Sequence, residues 1–130
     1  MNDATCIAVA SRAGYACEYC RLHEEDDGFS FHVEHIIARK HGGSDEFNNL
    51  AFACQSCNLH KGANLSGIDP HTGAIVELFH PRRDIWTVHF AFNDFFIVGQ
   101  TPKGRATIRV LTMNDPDRVR LRSTLGPRGD

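Results

Sequence analysis

Two CxxC pairs constrain the fold of this chain more than any other feature of its sequence. One pair is Cys17 and Cys20, the other is Cys54 and Cys57, and Cys6 has no spaced partner. A CxxC turn places two thiolates on one side of a tight knuckle, and two knuckles supply the four soft ligands of a closed tetrahedral zinc site. Because such a site has no open position for water, we expect a structural zinc and not a catalytic one.

The length and composition are those of one soluble globular domain. The chain has 130 residues, of which 42% are hydrophobic and 23% charged, and no apolar stretch approaches the roughly 18 residues of a membrane span or the core of a signal peptide. We therefore expect a cytoplasmic protein that does not contact a membrane, and the oligomeric state stays open. In a reducing compartment, paired CxxC motifs favour a metal over disulfides or a redox site.

The charge distribution is uneven along the chain. The net charge of −2 argues mildly against a nucleic-acid partner, since phosphate binding favours a basic surface. Residues 1–81 contain five Lys or Arg against eleven Asp or Glu, whereas residues 82–130 contain nine against five. Two interpretations stay open for the basic half, a phosphate-docking surface and an ordinary solvated surface.

Local patterns predict a mixture of short helices and strands. Alternation of Trp86, Val88, Phe90 and Phe92 predicts a strand, and Thr101-Pro102 and Asp115-Pro116 are typical of helix starts. The predicted order is a helix within 1–16, strands at 29–37 and 50–54, a helix at 55–65, a turn-rich linker at 67–73, strands at 74–79 and 86–92, a hairpin turn at Asn93-Asp94, a strand at 95–99 and two terminal helices.

Polar residues of distinctive type lie between and just after the CxxC pairs. The combined pattern is Cys17-x-x-Cys20, Glu34-His35-Ile36, Gly42-Gly43, Asn49-Leu50 and Cys54-x-x-Cys57-Asn58-x-x-Lys61. It covers about residues 17–62 and resembles the HNH endonucleases, also called ββα-metal nucleases. Residues 78–113 resemble the C-terminal extension of a group of uncharacterised bacterial HNH proteins. The resemblance implies an α+β fold, with a zinc-stapled HNH module at residues 1–66 and a β-rich extension with short helices at 67–130. We expect the extension to pack on the module as a single compact unit.

The resemblance also implies a role for each residue of the predicted active centre. His35 corresponds to the general base that accepts a proton from the attacking water. Glu34 and Asn58 correspond to ligands of one catalytic divalent ion, and Asn49 to a residue that ties the loop and orients the base. Asn58 stands where the family name has histidine, and its neutral amide oxygen suits Mg²⁺ or Mn²⁺. Adjacent strand residues point to opposite faces, so Glu34 and His35 need a bulge or a strand end to share one site.

The function implied is divalent-metal-dependent hydrolysis of DNA phosphodiester bonds, with double-stranded DNA as the partner. The basic residues expected to contact phosphate are Lys61, Arg39, Lys40, Arg82 and Arg83. Two alternatives stay open: a zinc-stabilised nucleic-acid-binding module without cleavage, and a structural zinc domain for protein contacts. A complete set of Glu34, His35, Asn49 and Asn58 argues against the pure binding module, which has no need of a base beside a metal site.

Overall fold

A computed structural model of the protein describes residues 2–126. The chain divides into two compact units, Met1–Ala63 and Asn64–Asp130. The predicted division into 1–66 and 67–130, packed as one compact unit, stays a prediction.

The first unit begins with helix α1 (Asp3–Arg12). The Asn2 side chain accepts a hydrogen bond of 2.8 Å from the Thr5 backbone N–H, which caps the first turn. The helix ends before Gly14, whose positive φ of 64° is typical of a helix stop. Val9 and Ala10 are buried, so α1 contributes its core face at its C-terminal end.

Two strands and a helix follow and form a ββα arrangement. Strand β1 (His32–His35) pairs antiparallel with β2 (Leu50–Ala53), and helix α2 (Gln55–Lys61) follows β2 directly. Every residue of β2 is buried. Strand β1 is shorter than the predicted 29–37, but the predicted α+β class with a four-cysteine module is confirmed.

In the second unit, the predicted linker contains a strand that the sequence reading missed. Strand β3 (Ser66–Ile68) pairs antiparallel with β4 (Ile75–Glu77). A Cβ atom added to Gly67 would lie 2.6 Å from Cγ2 of Val110. Gly67 thus signals close packing against a helix rather than a flexible linker.

The predicted strand at 86–92 is wrong over its first half. Residues Trp86–His89 form a helical turn, α3, which is followed by β5 (Phe90–Asn93) and β6 (Phe96–Gly99) in a hairpin. Trp86 and Phe90 are both buried and four residues apart, whereas Val88 is 53% exposed. Burial therefore follows the helical spacing and not the alternation of a strand. The hairpin turn lies at Asp94 and Phe95, one residue later than predicted.

Both predicted C-terminal helices are present as α4 (Pro102–Leu111) and α5 (Pro116–Leu125). The Thr101 hydroxyl accepts a hydrogen bond of 3.0 Å from the Gly104 N–H and caps α4. Helix α4 packs on β3, β4 and β6. The Arg105 guanidinium donates bonds of 2.8 and 2.9 Å to the two carboxylate oxygens of Asp69, which anchors the β3–β4 turn to α4. Within residues 2–126 no helix is both long and apolar enough to span a membrane.

Candidate metal centre and catalytic cleft

The four cysteines of the CxxC pairs form one buried cluster in the first unit. All four Sγ atoms lie within 4.8 Å of one another. Zinc–thiolate bonds of about 2.3 Å in a tetrahedron separate the sulfurs by about 3.8 Å, and Cys20 Sγ lies 3.7 Å from Cys54 Sγ. Burial raises the pKa of the Cys17 thiol, so thiolates at this depth need a neighbouring cation. The donor set therefore fits a closed structural zinc site.

Each knuckle is shaped by local hydrogen bonds that its backbone N–H groups donate. The Cys17 N–H donates to the Leu22 carbonyl at 2.8 Å, and Arg21 adopts a positive φ of 70° that reverses the chain. The second knuckle uses the start of α2, where the Cys54 Sγ accepts a bond of 3.3 Å from the Cys57 N–H. The Cys54 side chain thus serves both as a thiol of the zinc-binding cluster and as the N-terminal cap of the helix.

A buried polar network links the first knuckle to β1. The Tyr19 hydroxyl, between the first two cysteines, donates to Glu34 Oε2 at 2.6 Å, and Lys61 Nζ lies 3.1 Å from Glu34 Oε1. Tyr19, Glu34 and Lys61 are only 1%, 6% and 2% exposed. Burial raises the pKa of Glu34, while the positive charge of Lys61 opposes that rise. The carboxylate is thus held by two partners inside the unit.

The position of Lys61 corrects the expected phosphate contact. Besides Glu34, its ammonium group donates to the backbone carbonyls of His35 at 3.2 Å and of Ile36 at 2.9 Å. These three acceptors occupy the donors of an ammonium group. Lys61 therefore does not reach a phosphate from this position, and it instead fixes the chain at the end of β1.

The strand end explains how Glu34 and His35 approach the same site. The β1–β2 register is one-to-one through His35 and Leu50, so no bulge is present, and His35 is the last residue of β1. Both residues line one open cleft of about 520 Å³. The remaining lining residues are Ala38, Arg39, Asn58, Gly62 and Ala63. The sequence allowed either a bulge or a strand end at these two residues, and the structure has the strand end.

Asn58 lies on α2 and faces this cleft without a side-chain partner among residues 2–126. Its amide oxygen is a hard neutral ligand. Each oxygen of the Glu34 carboxylate has lone pairs beyond its single protein partner. An all-oxygen pair of this kind, completed by water and phosphate oxygens, fits a hard divalent cation.

The sequence reading missed Asp45, which contacts the predicted base. His35 Nε2 lies 2.7 Å from Asp45 Oδ1, and the Arg39 guanidinium donates to the same oxygen at 2.8 Å and 3.1 Å. These bonds, first from His35 and then from Arg39, lower the pKa of Asp45. Asp45 lies in a polar loop with two glycines, a composition that gives no sign of a contact ten residues back along the chain.

The loop that carries Asp45 is tied down by Asn49. The Asn49 side chain accepts a bond of 2.9 Å from the Ile37 N–H, and donates to the carbonyls of Ile37 at 3.0 Å and Ser44 at 2.7 Å. Gly43 packs so closely that an added Cβ would lie 1.7 Å from the Ile37 carbonyl oxygen. The catalytic relevance of Asn49 stays a prediction, but its bonds close both ends of this loop.

The remaining predicted phosphate contacts lie at the surface of their units. Arg39 and Lys40 are exposed in a 3-10 turn, Arg39–His41, and Arg39 lines the cleft. Arg82 is half-buried and Arg83 exposed, in the turn between β4 and α3 of the second unit. The structure thus brings Glu34, His35, Asn58 and Arg39 together, and it places Arg82 and Arg83 elsewhere in the chain.

Comparison with known proteins agrees with this geometry. Residues 17–64 match the sequence model of the HNH endonuclease family, which confirms the resemblance for the stretch that carries the cysteine cluster and the cleft. The chain is 25% identical over 115 residues to the Septu protein PtuB of Bacillus thuringiensis. The aligned part is 87% of this chain but 42% of that protein, so the chain spans less than half of its relative. No solved structure matches the chain.

Proposed function

We propose that this chain, whose residues 17–64 match the HNH endonucleases, is a divalent-metal-dependent endonuclease that hydrolyses DNA phosphodiester bonds. The observation that carries the proposal is the convergence of His35, Glu34 and Asn58 on one cleft beside a buried cysteine cluster. A protein that only binds nucleic acid needs no proton acceptor beside a pair of hard oxygen ligands.

His35 is the general base of the proposed reaction. Water is a poor nucleophile, and an imidazole can accept its proton as the bond to phosphorus forms. The His35 side chain is 20% exposed, so it is open to water and yet held on one side by Asp45. Lys61 fixes the backbone at the base through the His35 carbonyl, and Asn49 fixes it two residues later through the Ile37 carbonyl.

Glu34 and Asn58 would hold the catalytic divalent cation. When bound, such a cation polarises the phosphodiester and stabilises negative charge on the leaving oxygen. Oxygen ligands favour Mg²⁺ or Mn²⁺ over zinc, which the four thiolates select instead. The two metal sites thus differ in ligand softness, and each is built from its own set of side chains.

The proposed substrate is double-stranded DNA, contacted through its phosphates. Arg39 lines the cleft, Lys40 follows Arg39 in the same 3-10 turn, and both side chains are exposed. Arg82 and Arg83 supply further positive charge in the second unit. A phosphate contact of this kind positions the backbone without reading the base sequence.

A single substitution tests the proposed base. His35→Ala should lower cleavage of plasmid DNA on the order of 10²–10⁴-fold, the usual contribution of a general base. Zinc content, thermal unfolding and DNA affinity should change little, because His35 is neither a cysteine ligand nor a buried core residue. The matched control is His32→Ala, an exposed histidine at the start of the same strand, which should cleave like the parent.

Chelation provides an independent test of the two metals. Brief EDTA treatment should stop cleavage by removing a weakly held ion before the buried thiolate site is emptied, and added Mg²⁺ or Mn²⁺ should restore it. A parent that binds DNA and cuts none with any divalent metal would favour the binding module. Full activity of His35→Ala would refute the assigned base.

A further inference from the structure

We propose that Asp45 is a positioning residue that holds the His35 imidazole in one tautomer, with the proton on Nε2 and the lone pair on Nδ1. The inference deepens the proposed nuclease function and rests on it, because it names the atom of His35 that accepts the proton of water.

The geometry of the pair fixes the direction of the hydrogen bond. An ionised carboxylate only accepts, so at 2.7 Å between Asp45 Oδ1 and His35 Nε2 the proton must lie on the ring nitrogen. A neutral imidazole with Nε2–H carries its lone pair on Nδ1. No residue within the described 2–126 hydrogen-bonds that second nitrogen, so it stays free for a water molecule.

Arg39 keeps the carboxylate of Asp45 ionised and oriented. Its Nε and Nη2 groups both donate to Asp45 Oδ1, the oxygen that also faces His35. A protonated Asp45 would be able to donate instead of accept, which would remove the constraint on the tautomer. Arg39 therefore acts on His35 through Asp45, apart from any contact with phosphate.

The ion pair between Asp45 and Arg39 is too exposed for a stabilising role to explain it. The side chains of Asp45 and Arg39 are 63% and 66% exposed, and ion pairs between exposed groups contribute little to stability. The loop nevertheless holds Asp45 in place firmly, through the three Asn49 bonds and the close approach of Gly43 to the Ile37 carbonyl. A loop that is held rigidly although its ion pair adds little stability is expected where that ion pair orients His35.

The test measures the tautomer directly, in the full-length zinc-loaded protein. In ¹⁵N-labelled parent at a pH where His35 is neutral, the imidazole nitrogen shifts should report the Nε2–H form. Asp45→Ala should give a mixture of the two tautomers, and Asp45→Glu should restore part of the parental form. Glu46→Ala, which removes the neighbouring exposed carboxylate, is the matched control and should leave the His35 shifts unchanged.

Cleavage kinetics supply the second readout. Asp45→Ala should lower kcat on the order of 10–100-fold, the usual effect of removing a partner that orients a functional histidine. KM should stay close to the parental value, because Asp45 does not bind substrate, and Asp45→Glu should recover part of kcat.

The two proposals fail in different ways. A parent that cleaves no nucleic acid removes the nuclease function, while the tautomer measurement still decides whether Asp45 orients His35. An Nδ1–H or mixed form in the parent, or shifts that Asp45→Ala does not alter, would overturn the assignment. So would an unchanged kcat of Asp45→Ala in a parent that cleaves.

Discussion

Lys61 and Glu34 show how the role of a charged side chain is decided by its surroundings and not by its residue type. Both stand at motif positions that suggest an exposed working surface, yet the structure buries them as a pair with Tyr19 on the far carboxylate oxygen. Removing two charges from water has a large cost, which the pair offsets only when both members are present. The consequence is a strong and asymmetric sensitivity to substitution.

We expect Lys61→Met to destabilise the zinc-loaded protein by about 3–5 kcal/mol, because Glu34 would be left buried without its counterion. The double variant Lys61→Met, Glu34→Gln removes both charges and should recover part of the lost free energy of unfolding. Lys40→Met is the control, since this lysine is exposed and should stay within about 0.5 kcal/mol of the parent. Denaturant unfolding of the four proteins measures these differences. A double variant less stable than Lys61→Met alone would contradict the coupling.

The residue pattern identified only part of the candidate site. Cysteine spacing and residue type were enough to single out the four thiols, which cluster as expected. Asp45 had no such signal, since its role depends on a loop geometry that Asn49 and Gly43 impose through space. Lys61 gave a misleading signal, because burial depends on packing around α2 and is not encoded in a charge pattern.

At the scale of elements, the sequence predicted best where an end was marked chemically. Thr101-Pro102 and Asp115-Pro116 fixed the starts of α4 and α5 correctly, because a capping oxygen followed by proline fits few other conformations. The prediction failed at residues 86–89, where the apolar pattern fits the period of a strand as well as that of a helix. The packing of Trp86 on Phe90 in the folded unit favours the helical turn. Strand β3 was missed because glycine is typical of loops in a sequence, whereas Gly67 is needed here for the close approach of α4.

The second knuckle and helix α2 should depend on each other, because Cys54 is at once a cluster thiol and the helix cap. Purified protein should hold about one tightly bound zinc per chain. Cys54→Ser should lose the zinc and unfold the first unit, since ligand energy in a small site is folding energy. Cys6→Ser is the control: it removes a half-buried thiol of α1 outside the cluster and should keep its zinc. Elemental analysis and circular dichroism measure both effects. Natively folded protein without zinc would contradict the site.

For the whole molecule, the net charge of −2 is compatible with the proposed polyanionic substrate only if basic residues act locally. The salt dependence of binding counts those residues, since each phosphate contact adds about 0.9 to the slope of log K against log salt. Lys40 in the first unit and Arg83 in the second are exposed, so each can be tested without disturbing a core.

The final prediction follows from this count. In the cleavage-deficient His35→Ala background, Lys40→Ala and Arg83→Ala should each weaken binding to duplex DNA of any sequence and reduce the slope by about 0.9. Arg120→Ala is the control, because Arg120 already pairs with Asp117 on α5 at 3.0 Å and is assigned no phosphate. Fluorescence anisotropy at a series of salt concentrations gives the slopes. If Lys40→Ala reduces the slope and Arg83→Ala does not, the tested phosphate contacts lie in the first unit, because Arg83 would then contact no phosphate. Unchanged slopes for both variants would mean that Lys40 and Arg83 are ordinary solvated surface residues that contact no phosphate. Other groups of the cleft would then have to bind DNA.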